Sequence, residues 1–248
     1  MEVKLNPGER IDDLQINGLK IIQTVKYYCF TSDAVILANF ARVTPRSRVV
    51  DLGTGGGVIA ILLVGKYGAG TVTGIEIQER LADMASRSVI LNGLEDKIHI
   101  LLSPMQDAHT VLGLHKADIA VCNPPYTRLG DGGKNLDPHI AMCRHETGID
   151  LKGVCQTAAR LLKFGGRLYM VHQSERLAEI MVELAKADLA PKRLRFVCGR
   201  VGKPPALVLI EALSGGKAGL KIEPPLELYD KDGEETPELT AIYGRQKN

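Results

Sequence analysis

The stretch RVVDLGTGGGVIAILLVGKY, residues 48–67, decides the fold of this chain. Its first part, RVVDL, is a short apolar run that predicts a buried strand, and VIAILLVGKY predicts a helix. The turn between them, GTGGG, is rich in glycine, which adopts backbone angles that other residues avoid and lets a ligand approach closely. A buried strand that leads through a glycine turn into a helix predicts a unit of parallel sheet.

The rest of the chain repeats this alternation of strand and helix. Further strands are predicted in TVTGIEI, KIHILL, ADIAVC, GRLYMVH, RLRFVCG and PALVLIEAL, and further helices in ERLADMASRSVILNG, LKGVCQTAARLLKFGG and SERLAEIMVELAKAD. Strands that alternate with helices of this length predict an α/β fold with a doubly wound, mostly parallel sheet.

The two ends of the chain depart from this pattern. Near the start, Asn17-Gly18 separates two short alternating runs, and such a pair is the typical loop of a β-hairpin. A helix through AVILANFA, capped by Ser32 or Asp33, follows the hairpin. The tail from about Gly215 is charged and rich in proline, and it either packs as an extension or stays mobile. We expect a hairpin extension at 1–29, a main domain at 30–216 and a C-terminal extension at 217–248.

The composition is that of a globular protein of ordinary charge. The chain has 248 residues, of which 45% are hydrophobic and 24% are charged, and its net charge of +2 does not by itself indicate nucleic-acid binding. The five cysteines are scattered, without a CxxC pair or metal-ligand spacing, so we expect no metal site and a reducing compartment. Because no long apolar run or signal-like start occurs, we expect a cytoplasmic protein that does not contact a membrane.

The first chemical motif is DLGTGGG, which begins at Asp51 and stands where the first main strand ends. In open α/β sheets, ligands bind at the carboxyl ends of the strands. Glu76 follows the next strand and is placed to accept hydrogen bonds from a ribose diol, so the two features predict a nucleoside-cofactor pocket. The spacing Gly55-x-Gly57-x-x-Ala60 also fits a dinucleotide fingerprint. A carboxylate at Asp51 would repel a pyrophosphate, and it favours S-adenosylmethionine, which carries an ammonium and a sulfonium and no phosphate.

The second chemical motif is CNPPY, residues 122–126, which follows the apolar run ADIAV. Proline has a fixed φ angle and no N–H donor, so a Pro-Pro step makes a rigid loop that presents hydrogen-bond acceptors. By itself, Asn123-Pro124 is equally typical of a simple turn after a strand.

Together, the glycine loop with its following acid and the NPPY motif resemble class I S-adenosylmethionine-dependent methyltransferases of the amino-methylating branch. The segments ERIDDLQINGLKIIQ…FTSDAVILANFA, KNLDPHIAMCRHE and EPPLELYDKDGEETPELTAIYG are similar to those of bacterial enzymes that methylate N6 of an adenine in the anticodon loop of a valine tRNA. This resemblance spans nearly the whole chain. It implies a seven-stranded, Rossmann-like sheet, S-adenosylmethionine as the cofactor, RNA as the partner and no metal.

The resemblance also implies roles for individual residues. Asn123 and the carbonyl of Pro124 would accept hydrogen bonds from the target amine, and Tyr126 would stack on the flipped base. Glu76 would bind the ribose, Ile77 would line the adenine and Asp107 would read the adenine amine. The full set of implied cofactor residues is Phe30, Thr31, Asp33, Asp51, Gly53, Gly55, Gly57, Glu76, Ile77, Asp107 and Asn123.

Basic residues near the motifs indicate either an RNA-binding rim or a solvated basic surface. They are Arg128, Lys134, Arg144, Arg193, Arg195, Arg200 and Lys203. Two other functions remain open at this point. One is a glutamine-amide methyltransferase that acts on release factors, whose family resembles this chain less because it carries a longer helical domain before the glycine loop. The other is a non-catalytic RNA-binding module with the same fold, and the intact Asp51, Glu76 and Asn123 favour an enzyme instead.

Overall fold

A computed structural model describes residues 3–24, 31–126 and 149–245 of the chain. Within these residues, ten strands form a small hairpin and one large sheet. The strands are β1 Arg10–Asp13, β2 Lys20–Gln23, β3 Arg48–Leu52, β4 Thr71–Glu76, β5 Ile98–Leu102, β6 Ala117–Cys122, β7 Leu162–Gln173, β8 Leu189–Arg200, β9 Pro205–Ser214 and β10 Lys221–Tyr229.

Helices pack on both faces of the large sheet, as a doubly wound fold requires. They are α1 Ser32–Phe40, α2 Val58–Gly65, α3 Glu79–Leu91, α4 Ala108–Leu112, α5 Leu151–Leu161, α6 Leu177–Lys186 and α7 Pro237–Tyr243. One apolar core contains side chains of α1 and α2, and a second contains side chains of α5 and α6. The predicted α/β class is confirmed, although α4 and α7 were not predicted. Thr31, rather than Ser32 or Asp33, occupies the N-cap position of α1, without a side-chain capping hydrogen bond.

The order of the strands places two loops side by side. The large sheet runs β10-β8-β9-β7-β6-β3-β4-β5, and only β9 is antiparallel to its neighbours. From β3 the chain proceeds outward through β4 and β5, and it then returns to the other side of β3 as β6. The carboxyl ends of β3 and β6 are therefore adjacent at the point where the winding reverses, which is where open α/β sheets bind ligands.

The sheet has eight strands, so the expected number of seven is wrong. The additional strand, β10, comes from the charged tail and pairs in parallel with β8 at the edge of the sheet. The following helix, α7, packs against α1, and its Ile242 is buried in the first core. Of the two possibilities for the tail, the packed extension is the one observed.

The N-terminal hairpin forms around the predicted turn and packs on the main sheet's helices. Asn17 and Gly18 both have positive φ angles, 51° and 68°, as a type I′ turn needs. The backbone N–H of Ile22 donates to the Ser88 hydroxyl on α3 at 2.9 Å, and Ile21 is fully buried in the first core. The division of the chain at residues 29 and 216 stays a prediction. No helix among the described residues is long and apolar enough to cross a membrane.

Candidate active site

The glycine loop after β3 exposes bare backbone at the reversal point. Gly53, Gly55 and Gly57 have φ angles of 73°, 57° and 87°, in the left-handed region that side chains disfavour. Gly57 also begins α2, and a methyl group built on it would lie 3.3 Å from the Cβ of Ala85. Both the turn and the close approach of α3 therefore require glycine at this position.

Asp51 lies beneath this loop rather than in an open pocket. Its side chain is completely buried, and the Thr54 hydroxyl donates to its Oδ2 at 2.6 Å. Burial, opposed by the Thr54 hydrogen bond, raises the pKa of Asp51 to about 7. In this conformation the carboxyl of Asp51 is buried, and its contact with the methionine moiety of the cofactor stays a prediction.

This buried carboxyl gives a testable dependence of stability on pH. The folded state holds the Asp51 proton up to about pH 7, whereas the ordinary pKa is 3.8. Since the folded state binds more protons in that range, the contribution of Asp51 to the free energy of unfolding falls by roughly 3 kcal/mol as the pH rises from about 4 to 7. Burial also lowers the pKa of His172 to about 4, and its contribution to stability rises over the same pH range. Urea denaturation should therefore show the Asp51 loss as a difference between the wild type and a variant without this carboxyl.

The matched variant is Asp51→Asn, which keeps the shape and removes the titration. Glu76 and His172 still titrate in this variant, so the stability of Asp51→Asn relative to the wild type is the quantity that isolates Asp51. This difference should increase from pH 4 to 7, and a constant difference would contradict the assignment to Asp51. The hydrogen bonds of Arg87 lower the pKa of Glu9 to about 2, so stability from Glu9 is lost only as the pH falls below about 4.5. The two effects therefore occur in separate pH ranges.

Glu76 joins the end of β4 to the glycine loop. Its Oε2 accepts the backbone N–H of Gly55, and its Oε1 accepts those of Ile77 and Gln78, each at 2.9 Å. The residue is only 6% exposed, and burial raises the pKa of its carboxyl. Because a carboxylate has about four acceptor positions, these three bonds leave room for one more donor.

A cavity lies beside the loop and beneath Ile77, whose side chain is 48% exposed. It is lined by Gly53, Ile75, Glu76, Ile77, Ser103, Met105, Gln106 and Ile149. Asp107, which we expected at this place, is exposed and is not part of the lining. Gln106, its neighbour in the turn after β5, takes that position, and Ile149 carries no signal in the sequence that would have indicated it.

The NPPY loop follows β6 directly, and its Asn123 and Tyr126 side chains form a small hydrogen-bonded cluster with Asp33. The Tyr126 hydroxyl lies 2.7 Å from Asn123 Oδ1 and 2.9 Å from Asp33 Oδ2. The Tyr126 ring packs against the ring of the buried His172, with 5.3 Å between their centroids. Asp33 therefore contacts the NPPY loop. Thr31 is exposed at the start of α1, and Phe30 lies outside the described residues.

Two of the basic residues expected to contact RNA are held within the protein. Arg193 Nε lies 2.9 Å from Glu211 Oε2, its Nη2 donates to the Phe40 carbonyl, and its side chain is 12% exposed. Arg195 forms a two-pronged pair with Glu238 at 2.6 and 2.7 Å. A contact of either residue with RNA would have to compete with these carboxylates, and it stays a prediction.

The other basic residues divide into two groups. Arg200 and Lys203 are exposed at the turn after β8. Since β8 runs in the same direction as β7 and β6, this turn lies at the edge of the sheet that carries the glycine loop. Arg128, Lys134 and Arg144 lie outside the described residues, so their placement stays a prediction.

Replacing Arg193 by Ala should destabilise the protein rather than weaken its binding to RNA. Breaking a buried ion pair costs about 3–5 kcal/mol, and because Arg167 still pairs with Glu211 we expect a loss of about 2 kcal/mol. Urea denaturation measures this loss. The control is Lys203→Ala at an exposed position, which should change stability by less than about 0.5 kcal/mol. If Arg193→Ala leaves the free energy of unfolding unchanged, the ion pair of Arg193 does not stabilise the fold, and Arg193 remains a candidate for RNA contact.

Comparison with known proteins places this site in a family. The family described as the methyltransferase small domain matches residues 31–187, which include Asp33, Asp51, Glu76, Asn123 and Tyr126. The chain belongs to this family. The resemblance to methyltransferases noted in the sequence is thereby confirmed.

Curated relatives of this methyltransferase are named as tRNA1(Val) (adenine(37)-N6)-methyltransferases. The one from Tolumonas auensis is 28% identical over 214 residues, which cover 85% of this chain and 86% of the relative. The one from Porphyromonas gingivalis is 28% identical over 186 residues, which cover 73% of this chain and 72% of the relative.

Solved structures show the same fold at lower identity. A protein from Agrobacterium tumefaciens, described as a predicted O-methyltransferase, is 21% identical with a TM-score of 0.68, and the match covers 85% of this methyltransferase and 95% of that protein. The P. horikoshii protein TYW2, solved in complex with MeSAdo, is 15% identical with a TM-score of 0.59, and the match covers 85% and 73% of the two chains.

Proposed function

We propose that this methyltransferase transfers a methyl group from S-adenosylmethionine to the exocyclic amine, N6, of an adenine in RNA. The finer proposal is that the adenine lies in the anticodon loop of a tRNA. The observation that carries this proposal is the position of Asn123, which follows β6 immediately beside the glycine loop after β3. The names of the curated relatives support tRNA as the RNA.

The residues beside the glycine loop fit S-adenosylmethionine. Bare backbone at Gly53 and Gly55 leaves space for a close ligand, the cavity beneath Ile77 has an apolar wall for an adenine, and Glu76 retains an acceptor position for a ribose hydroxyl. When bound, the cofactor supplies an electrophilic methyl group on a sulfonium. Buried Asp51 supports the loop through Thr54 and is not needed as a direct contact.

The NPPY loop has the acceptors that an adenine amine needs. The lone pair of N6 is delocalised into the ring, so the nitrogen becomes a nucleophile only as it moves toward a tetrahedral shape. Asn123 Oδ1 and the carbonyl of Pro124 would accept its two hydrogens and favour that shape, while Tyr126 would stack on the base. The amine would gain the methyl group that the sulfonium supplies and would release one proton to solvent.

Exposed positive charges at the edge of the sheet that carries the glycine loop could contact the phosphates of an RNA. Arg200 and Lys203 are exposed there, and each phosphate contact made by such a residue adds to the salt dependence of binding. With Arg193 and Arg195 engaged internally, we assign the described part of the basic rim to these two residues alone.

Incubation with methyl-labelled S-adenosylmethionine tests the class of acceptor. Parallel reactions contain total tRNA, a bacterial release factor or no acceptor, and Asn123→Ala serves as the matched inactive variant. We expect label in tRNA with the wild-type protein and strongly reduced label with the variant. Label in the release factor alone would favour the glutamine-amide reaction. Cofactor binding without transfer to either acceptor would favour an RNA-binding module.

A further inference from the structure

The Tyr126 hydroxyl stands between two acceptors that belong to different parts of the chain. It lies 2.7 Å from Asn123 Oδ1, within its own loop, and 2.9 Å from Asp33 Oδ2, which is 93 residues away on α1. A phenol has a single proton, so it can donate fully to only one of these oxygens at a time. The choice matters because Asn123 Oδ1 is the atom proposed to accept the substrate amine.

The two acceptors differ in strength. A hydrogen bond to a carboxylate is shorter and about twice as strong as one between neutral groups, so Asp33 draws the phenol proton more strongly than the Asn123 amide does. With the proton directed to Asp33, the phenol oxygen presents lone pairs to Asn123. A half-turn of the amide then points Nδ2–H at the phenol and Oδ1 toward the amine.

We infer that Asp33 is a positioning residue: it accepts the hydrogen bond of the Tyr126 hydroxyl and thereby keeps Asn123 Oδ1 available for the substrate amine. This inference rests on the proposed function, and it gives Asp33 a role different from the cofactor contact expected from the sequence. Without Asp33, the hydroxyl donates to Asn123 Oδ1 and competes directly with the substrate.

His172 limits the movement of the Tyr126 ring. Its ring is 1% exposed and packs on Tyr126 at a tilt of 49°. Its Nδ1 accepts the backbone N–H of Gln173 at 2.8 Å, which fixes the ring. The Tyr126 ring therefore rests on a fixed surface, and rotation of its O–H is the simplest motion that switches between the two acceptors.

A cycle of variants tests the inference through rescue. Single-turnover methyl transfer to tRNA is measured for wild type, Asp33→Ala, Tyr126→Phe and the double variant. We expect Asp33→Ala to lower the rate about 10- to 100-fold, the range for a lost hydrogen bond to a charged group. Tyr126→Phe keeps the stacking ring but removes the phenol oxygen that orients the Asn123 amide, so its rate should lie between those of Asp33→Ala and the wild type. The double variant should be about 5-fold faster than Asp33→Ala, because the competing hydroxyl is absent.

Two controls separate this mechanism from a structural role. Glu79→Ala removes an exposed carboxylate from the first turn of α3 and should leave the rate unchanged. Asp33→Asn keeps an acceptor and should be faster than Asp33→Ala. A double variant as slow as Asp33→Ala would overturn the inference, and so would weakened cofactor affinity with an unchanged single-turnover rate.

A second measurement does not depend on the substrate. The thermal midpoints of the same four proteins are compared without RNA or cofactor. We expect the two single substitutions to be non-additive, since each removes the same Asp33–Tyr126 bond. Additive midpoints would contradict the inference even if the wild-type protein methylates tRNA. Conversely, a wild type that transfers no methyl group to tRNA contradicts the proposed function, while the midpoints still report on the bond.

Discussion

Replacing Asn123 by Ala is expected to lower the single-turnover rate of methyl transfer by about 10²- to 10³-fold, or roughly 3–4 kcal/mol. The hydrogen bond from the substrate amine to Oδ1 strengthens as the nitrogen becomes tetrahedral, so it stabilises the transition state more than the bound substrate. Cofactor affinity should be nearly unchanged, because Asn123 is not part of the cavity lining. Rapid-mixing transfer assays and calorimetry with S-adenosylhomocysteine measure the two quantities.

Asn123→Asp is the matched variant for this experiment. A carboxylate still accepts a hydrogen bond, so Asn123→Asp should retain more activity than Asn123→Ala. It also places a second carboxylate within reach of the Tyr126 hydroxyl, which Asp33 already contacts. If Asn123→Ala transfers methyl groups at the wild-type rate, the NPPY segment is only a turn and its proposed chemistry is wrong.

Replacing Glu76 by Ala is expected to weaken binding of S-adenosylhomocysteine by about 100-fold. The substitution removes the proposed ribose contact and also releases the backbone N–H groups of Gly55, Ile77 and Gln78 from their shared acceptor. Both effects act on the same cavity, since Gly53, Glu76 and Ile77 line it. Calorimetric titration measures the affinity, and a circular dichroism spectrum confirms that the variant is folded.

The control for Glu76 is Glu79→Ala, three residues further on and exposed to solvent. It should bind S-adenosylhomocysteine with wild-type affinity. If Glu76→Ala binds S-adenosylhomocysteine with unchanged affinity, the proposed contact between Glu76 and the cofactor is wrong. Tight binding of NADH by the wild type would instead favour the dinucleotide interpretation of the glycine loop.

The sequence alone identified the features that depend on residues close together along the chain. The run from Arg48 to Tyr67 defines a strand, a glycine turn and a helix, and hydrophobic periodicity identified the other main strands and helices. Because parallel strands present their carboxyl ends at one edge, the alternation of strands and helices places Asn123 at the same edge as the glycine loop. That β6 lies directly beside β3 is known only from the strand order of the folded sheet.

The edge strand β10 could not be recognised from local pattern. Its sequence, KIEPPLELY, contains two adjacent prolines, which lack the N–H that an interior strand needs. At the edge of a sheet this donor is not required on the open side, and the pairing with β8 shifts register between Glu223 and Leu226, around the prolines. Edge position is a property of the whole sheet and is not encoded in those nine residues.

Contacts between residues far apart along the chain could not be predicted from the sequence. Arg193 and Arg195 belong to a basic cluster along the chain, but their partners Glu211 and Glu238 follow 18 and 43 residues later. Likewise, the sequence did not indicate the contact of Asp33 with Tyr126, and the expected contact of Asp33 with the cofactor stays a prediction. The direction of a side chain and its partner are set by tertiary packing, which spacing along the chain does not report.

Nucleoside mass spectrometry of the reaction product tests the central proposal most directly. Unmodified valine tRNA is incubated with S-adenosylmethionine and the wild-type protein, digested to nucleosides and compared with the same reaction containing Asn123→Ala. We predict N6-methyladenosine from the wild type and a strongly reduced amount from the variant. A methyl group on a ring nitrogen or carbon, or equal N6-methyladenosine from both proteins, would contradict transfer to an amine held by Asn123.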